Sequence, residues 1–120
     1  MANNYGFSDE EWKDIMDRDT RCVYCGKEMD KAHTGKTRSD WTTKEHLNEK
    51  RPFYKHEGLK KEGLAICCWS CNSSRREKTL LDWFQKPYCT DKDITEKTVA
   101  NPVKKYIQRS KWKSTLKTHG

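Results

Sequence analysis

Four of the six cysteines occur as two pairs with the spacing of metal ligands. Cys22 and Cys25 form the first pair, Cys68 and Cys71 form the second, and 42 residues separate the pairs. Each pair presents two thiolates from one turn, so together they complete the tetrahedral coordination of a zinc ion. Four protein ligands leave no open position for water, so the predicted zinc is structural and not catalytic.

Disulfides or buried thiols are the alternative interpretation of these cysteines. The N-terminus has no apolar stretch typical of a secretion signal, and no segment approaches the length of a membrane span. The sequence therefore favours metal-binding thiolates in a reduced, cytoplasmic protein. Of the two other cysteines, we expect Cys67 in the core and Cys89 as a free thiol.

A second group of residues could hydrolyse a phosphodiester. Glu45 and His46 lie between the cysteine pairs, and Asn72 follows the last cysteine directly. An imidazole titrates near neutral pH and can accept a proton from water. Carboxylate and amide oxygens are ligands that a hard cation such as Mg²⁺ prefers. If two strands form a hairpin that a helix crosses, we expect the three side chains to converge beside the zinc.

This order of residues resembles the ββα-metal core of HNH endonucleases. The similar segments are Cys22-x-x-Cys25, Thr43-Lys44-Glu45-His46-Leu47 and the stretch from Gly63 to Arg75. The resemblance implies that His46 is the general base, which deprotonates the attacking water. It implies that Glu45 and Asn72 hold one Mg²⁺ or Mn²⁺ ion, which stabilises the leaving oxygen. It also implies that DNA is the substrate and that the cell is prokaryotic or phage-infected.

The middle Asn of that family has no counterpart here, because its position aligns with Gly63. The resemblance gives this Asn the task of bracing the loop that bears the catalytic His. Asn48 or His56 could substitute for it, and the sequence does not decide between them. Asn72 could alternatively cap a helix. His33, His56 and His119 are expected to be solvent residues.

The charge of the chain favours a polyanionic partner. The net charge is +7, and residues 97–120 contain seven basic residues and no acidic one. The candidate contacts to the DNA backbone are Arg75, Arg76, Lys78, Lys104, Lys105, Arg109 and Lys111. The alternative is a solvated basic face. Tyr106 and Trp112 could stack on bases, although the helical spacing of Tyr106 with Val103 and Ile107 favours a core position.

The hydrophobic pattern predicts the elements that must position these residues. Ser8 and Glu11 form a capping box that opens a helix over residues 8–18. The remaining predicted elements are strands at 41–45 and 64–67 and a helix at 70–84. Pro87 is expected to end that helix. Asp93 or Thr95 could start a last helix, and Pro102 is at a first-turn position for Val103 to Trp112.

These elements predict an α+β fold, with a small zinc-stapled ββα-metal (HNH) core and flanking N- and C-terminal helices. With 120 residues we expect one domain, divided into helix 8–18, core 20–86 and basic extension 91–120. Only 32% of the residues are apolar and 36% are charged, so zinc must help to stabilise a thin core.

Two other functions remain open at this point. One is a zinc-stapled nucleic-acid-binding module that is catalytically weak or inactive, and the missing middle Asn favours it. The other is a structural zinc protein that binds another protein, and the basic C-terminal segment disfavours it. The sequence does not determine the target site, whether the protein nicks DNA or cuts both strands, or whether it is a monomer or a homodimer.

Overall fold

The structure is a computed structural model that describes residues 7–35, 37–47 and 63–109. Its elements are α1 (Asp9–Arg18), a 3₁₀ helix (Arg38–Asp40), β1 (Thr42–His46), β2 (Leu64–Cys68), α2 (Trp69–Arg75), α3 (Leu80–Phe84) and α4 (Pro87–Lys92). Residues 101–109 are also helical and are called α5. The fold is small and α+β, as predicted.

The two strands form an antiparallel sheet whose two faces are covered by different helices. The register pairs Glu45 with Ala65 and His46 with Leu64. Because neighbouring side chains on a strand project to opposite faces, Glu45 and His46 lie on different faces. Leu64 packs with Ile15 of α1, whereas Ala65 belongs to the larger core beneath α2. The register therefore decides which helix each candidate catalytic residue faces.

Helix α1 starts with the predicted capping box. The Ser8 hydroxyl accepts a hydrogen bond from the Glu11 amide at 3.1 Å, and the Glu11 carboxylate accepts one from the Ser8 amide at 3.0 Å. Two backbone donors at the helix start are satisfied in this way. Ile15 is fully buried against β2, so the cap sets the position at which α1 meets the sheet.

The outer edge of β2 is covered by the segment that follows α1. The Asp19 carboxylate accepts a hydrogen bond from the Ile66 amide at 2.9 Å. Arg18 donates to the Leu64 carbonyl at 2.6 Å and is paired with Asp19 at 2.8 Å. The Val23 amide donates to the Ile66 carbonyl at 3.3 Å. Backbone groups that a strand edge would leave unpaired are thereby satisfied, and the first cysteine pair is joined to the sheet.

The single helix predicted over residues 70–84 is wrong. Helix α2 ends at Arg75, and Arg76 has a φ of 51°, which a non-glycine residue seldom adopts in a helix. A second helix then begins at an N-cap, where the Thr79 hydroxyl accepts from the Asp82 amide at 3.3 Å. The Thr79-x-x-Asp82 spacing is the local signal for this new start.

The expected role of Pro87 is also wrong, because Pro87 begins α4. Proline suits a first helical turn, where its missing amide hydrogen would have no partner. Asp93 caps the C-terminus of α4 with a φ of 57°, and Thr95 forms a hydrogen-bonded turn with Thr98. Neither residue starts the last helix. Pro102 lies in the first turn of α5, as predicted.

Trp83 lies at the centre of the larger core and is fully buried. Its ring meets the ring of Tyr24 edge to face at 4.8 Å, and its indole N–H donates to Ser74 at 2.9 Å. Helix α5 contributes Val103 and Ile107 to the same core. In the described part of the chain, no helix combines the length and apolar character needed to cross a membrane.

Three smaller predictions concern this core. Cys67 is fully buried in it, as predicted, and Cys89 is a buried free thiol. Tyr106 is partly buried against it, which confirms the predicted core position.

Candidate functional site

The four predicted ligands form one compact cluster. Their sulfur atoms all lie within 4.8 Å of one another. The Sγ atoms of Cys22 and Cys71 are 3.8 Å apart, and those of Cys25 and Cys68 are 3.9 Å apart. A tetrahedral site with zinc–sulfur bonds of about 2.3 Å has sulfur–sulfur edges of about 3.8 Å. The cluster could therefore hold a metal such as zinc. All six cysteines are described and none forms a disulfide.

Backbone turns bring each pair of thiols together. After the first pair, Gly26 adopts a φ of 76°, and its amide donates to the Cys22 carbonyl at 2.9 Å. A side chain would strain this left-handed conformation. In the second pair, Cys68 is the last residue of β2 and Cys71 lies in the first turn of α2. A metal in the cluster would thus fix the angle between β2 and α2.

The four thiols also influence one another's ionisation. Hydrogen bonds from Cys22, and then from Cys68 and Cys71, hold the pKa of Cys25 well below its usual value. Hydrogen bonding to Cys22, and then to Cys25, raises the pKa values of Cys68 and Cys71. The pKa of Cys22 is lowered to about 6, because hydrogen bonding to Cys25 raises it but hydrogen bonds from Cys68 and Cys71 lower it further. The thiols of the first pair therefore ionise in preference to those of the second. A divalent cation supplies the positive charge that allows all four to ionise together.

Asn72 follows the cluster directly and reaches β1. Its Nδ2 donates to the Thr43 hydroxyl and to the Lys44 carbonyl, both at 3.1 Å. Because Nδ2 is held by these two acceptors, Oδ1 is the atom that this side chain can offer to a cation. The capping alternative is wrong, because the N-cap of α2 is Cys68. The structure thus holds Asn72 against the strand that ends with Glu45 and His46.

Glu45 is a buried carboxylate that lies beside Arg75 and Tyr24. Its side chain is 5% exposed, and its Oε1 lies 3.4 Å from Nη1 of Arg75. Its Oε2 has no hydrogen-bond partner among the described residues. Burial raises the pKa of Glu45 to about 7, against the opposing charge of Arg75. Since an unsatisfied buried oxygen costs free energy, this atom is suited to a ligand that protein groups do not provide.

His46 ends β1 and is half-buried. It lies opposite Leu64, on the sheet face that α1 covers, whereas Glu45 and Asn72 lie on the face that α2 covers. The expected convergence of all three side chains on one side of the hairpin is therefore wrong for His46. The two adjacent residues could meet a common ligand only around the end of β1.

Arg75 was expected to contact DNA phosphates, and this prediction is wrong because the residue is only 2% exposed. Besides Glu45, its Nη1 contacts the His46 carbonyl at 3.0 Å and the Tyr24 hydroxyl at 3.4 Å. Its Nε donates to the Lys78 carbonyl at 2.9 Å. Arg75 therefore stabilises the fold around Glu45 and is not available to a phosphate.

The burial of Arg75 leads to a stability prediction. We expect Arg75→Ala to lower the free energy of unfolding by about 3–5 kcal/mol, because Glu45 would lose the cation beside it. Its neighbour Arg76 is exposed, so Arg76→Ala should change stability by less than about 0.5 kcal/mol. Urea titrations of the zinc-loaded variants measure both effects. Equal midpoints for the two variants would contradict the structural role of Arg75.

The other predicted DNA contacts differ in exposure. Lys105 and Arg109 are exposed, whereas Lys104 is half-buried. Lys78 is half-buried and donates to the Ser74 carbonyl at 3.1 Å. The following candidates lie outside the described residues: Lys111, Trp112, Asn48, His56 and His119. Of the predicted DNA contacts that the structure describes, Arg76, Lys105 and Arg109 are the exposed ones.

Sequence reasoning missed Arg18 as part of the basic surface. With Lys105 and Arg109 it lines a groove of about 290 Å³ at the start of α5. Since Arg18 donates to the carbonyl of Leu64, which lies opposite His46, the groove adjoins that end of the sheet. A cation in the last turn of α1 suits the helix dipole, but no local signal predicts its contact with β2.

Two further predicted positions can be assigned. His33 is not a solvent residue, because its Nε2 lies 2.9 Å from the Thr42 carbonyl and its ring stacks on Trp41. Gly63 closes the hairpin, where its carbonyl accepts from the Leu47 amide at 2.9 Å.

Comparison of the chain with protein-family models, with curated proteins and with solved structures gives no match. The functional interpretation therefore depends on the residues and their geometry.

Proposed function

We propose that the protein is a metal-dependent endonuclease of the HNH type, which hydrolyses phosphodiester bonds of DNA. The observation that supports this most is the contact of Asn72 with Thr43 and Lys44. It brings the side-chain amide of Asn72, on α2, to the strand that ends with Glu45 and His46. In this proposal the four cysteines hold a structural zinc ion, which keeps α2 in position against β1.

Glu45 and Asn72 would hold one Mg²⁺ or Mn²⁺ ion. Glu45 offers Oε2, which has no hydrogen-bond partner in the described part of the chain, and Asn72 offers Oδ1. These oxygen donors suit a hard cation, with water and a phosphate oxygen as further ligands. When bound, such an ion supplies Lewis-acid stabilisation of the leaving oxygen.

His46 would act as the general base. Its imidazole accepts the proton of the attacking water while the bond between phosphorus and the leaving oxygen breaks. The hydrogen bond from Arg75 to the His46 carbonyl holds the backbone of this residue. Since Glu45 and His46 project to opposite faces, the scissile phosphate would bind around the end of β1.

The basic groove would bind the DNA backbone beside this position. Lys105 and Arg109 line it and are exposed, and lysine and arginine contacts of this kind bind phosphates without reading sequence. Arg18 also lines the groove, but it is held by Asp19 and the Leu64 carbonyl. Arg76 is exposed at the end of α2 and would add a contact on the other side of the sheet. Lys78, Lys104 and Lys111 remain sequence-based candidates for weaker contacts.

The ion pair between Glu45 and Arg75 favours a second candidate function. In this buried pair, Arg75 contacts one carboxylate oxygen of Glu45, which is the proposed cation ligand. A zinc-stapled nucleic-acid-binding module that has lost catalysis would keep this pair as a purely structural contact. The same experiment distinguishes the two functions.

The test is incubation of the zinc-loaded protein with supercoiled plasmid, with no added cation or with Mg²⁺ or Mn²⁺. The endonuclease should produce nicked or linear plasmid only when one of these cations is added. A binding module should retard the plasmid on a gel under all conditions without cutting it. Plasmid that is neither cut nor retarded would contradict both functions.

The raised pKa of Glu45 predicts a pH dependence of cation binding. A proton and a cation compete for this carboxylate, and its pKa is about 7, so Mn²⁺ affinity should rise between pH 6 and pH 8 by about tenfold. Electron paramagnetic resonance of free Mn²⁺ measures this affinity at each pH. Glu45→Gln cannot take up the proton and should bind Mn²⁺ weakly at both pH values. A pH-independent affinity of the wild type would contradict the raised pKa of Glu45, and an unchanged affinity in Glu45→Gln would exclude Glu45 as the ligand.

A further inference from the structure

A cluster of aromatic and cationic side chains lies at the end of the hairpin that is remote from His46. It consists of His33, Arg38, Trp41 and Trp69 and is called the Trp69 cluster. Trp41 directly precedes β1 and Trp69 directly follows β2. The Trp69 amide donates to the Trp41 carbonyl at 2.8 Å, so the backbone brings the two indoles to the same end of the sheet.

The planar groups of this cluster contact one another in series. The His33 and Trp41 rings are stacked, with centroids 4.8 Å apart and planes 4° apart. The guanidinium carbon of Arg38 lies 5.5 Å from the Trp41 ring centroid and 6.0 Å from that of Trp69. Guanidinium and indole groups attract each other at these distances. Arg38 therefore links the two indoles.

Hydrogen bonds hold the loop that carries this cluster. The Asp30 carboxylate accepts from the His33 amide at 3.0 Å and from the Gly35 amide at 2.7 Å. The indole N–H of Trp41 donates to the Gly35 carbonyl at 3.3 Å. Since the loop is held at these points, the cluster is organised before any ligand arrives, which lowers the entropic cost of binding.

Trp69 leaves 39% of its surface exposed. Among the described residues, the other large apolar side chain that is exposed is Leu81, on α3. An exposed indole beside a cation offers a π face to a further planar group, and indoles are strongly favoured where a surface binds a partner.

Arg38 is the cation that an anionic ligand would meet at this cluster. Asp40 is paired with Lys27 at 2.8 Å, and Asp30 accepts from the amides of its own loop. No carboxylate among the described residues forms an ion pair with Arg38. A nucleotide matches this surface, because its base is planar and its phosphate is negative.

The cluster is also close to the proposed cation ligand. Trp69 and Asn72 are three residues apart on α2, so they are neighbours on one side of the helix, about one turn apart. A nucleic-acid strand with a phosphate near Asn72 could therefore reach Trp69 with a base that lies close by in the strand.

We infer that the Trp69 cluster binds an unpaired nucleobase by stacking it on Trp69, with Arg38 attracting the adjoining phosphate. The inference rests on the proposed function for the nature of its ligand. In an intact duplex, neighbouring base pairs cover both faces of each base. The protein therefore prefers nucleic acid that contains unpaired nucleotides to a fully paired duplex.

The test is fluorescence anisotropy without Mg²⁺, using a labelled oligothymidine strand and the same strand annealed to its complement. Trp69→Ala should weaken binding of the single strand by about tenfold and change duplex binding by less than about twofold. Trp69→Phe keeps a stacking face and should retain most of the affinity. Leu81→Ala is the matched control and should change neither. Equal single-strand affinities of Trp69→Ala and wild type would overturn the inference.

Failure of the proposed function would look different. If the wild type cuts no plasmid with Mg²⁺ or Mn²⁺ while Trp69→Ala still loses single-strand affinity, the endonuclease proposal fails and base stacking stands. If the wild type cuts plasmid and Trp69→Ala binds both probes normally, only the stacking inference fails. A wild-type dimer that Trp69→Ala converts to a monomer would show that this surface joins two copies, which would also overturn it.

Discussion

His46→Ala should abolish metal-dependent cleavage of plasmid by the zinc-loaded protein. General-base catalysis contributes about 10²–10⁴-fold to a rate, and alanine cannot accept the proton of the attacking water. The hydrogen bond that Arg75 donates goes to the backbone carbonyl of residue 46, which alanine retains. The variant should therefore keep its zinc and its DNA affinity. Plasmid cleavage, zinc content and gel retardation measure the three properties separately.

Two additional measurements separate a lost base from a disturbed fold. His46→Asn keeps a polar side chain that cannot act as a base near neutral pH, so it should be as inactive as His46→Ala. Added imidazole should restore part of the cleavage by His46→Ala, because a free base could enter the space of the missing ring. Cleavage by His46→Ala within about tenfold of the wild-type rate would remove His46 from the role of general base.

The parts of the fold that could be predicted from the sequence depend on short-range signals. The capping box of Ser8 and Glu11 determines the start of α1 within four residues of chain. The spacing of each cysteine pair is local too, and the structure brings the two pairs together. By contrast, the break between α2 and α3 was missed because Leu80 and Trp83 continue an apolar helical pattern across the Thr79 cap.

The parts of the site that could not be predicted depend on contacts between distant segments. Whether Arg75 is a surface cation or a buried partner depends on Glu45, thirty residues earlier. The face of the sheet that His46 occupies depends on the pairing register, and a shift of one residue would exchange the faces. The predicted strand ended at residue 45, whereas β1 ends at His46. The cover of β2 by Arg18 and Asp19 likewise has no signal in the local sequence.

Among the expected effects on stability, the largest concerns the four-cysteine cluster. Removal of zinc by a strong chelator should unfold the domain, because structural zinc contributes about 10–16 kcal/mol to such modules. The cluster connects the segment after α1 to the junction of β2 and α2, so its loss would separate the parts that enclose the core. Hydrophobic burial alone would give only a small core, since only 32% of the residues are apolar. Circular dichroism during chelator titration measures the loss, and zinc added back should reverse it.

Adjacent cysteines provide a matched pair of variants for this prediction. Cys68 is one of the four clustered thiols, whereas Cys67 lies outside the cluster and is fully buried. Cys68→Ala should therefore lose zinc and fold poorly at any zinc concentration. Cys67→Ala should bind one zinc ion and lose only about 1–3 kcal/mol for the small cavity that it creates. If the chelated wild type kept a cooperative thermal transition at its original midpoint, the cluster would not hold the fold together, and the predicted structural zinc would be wrong.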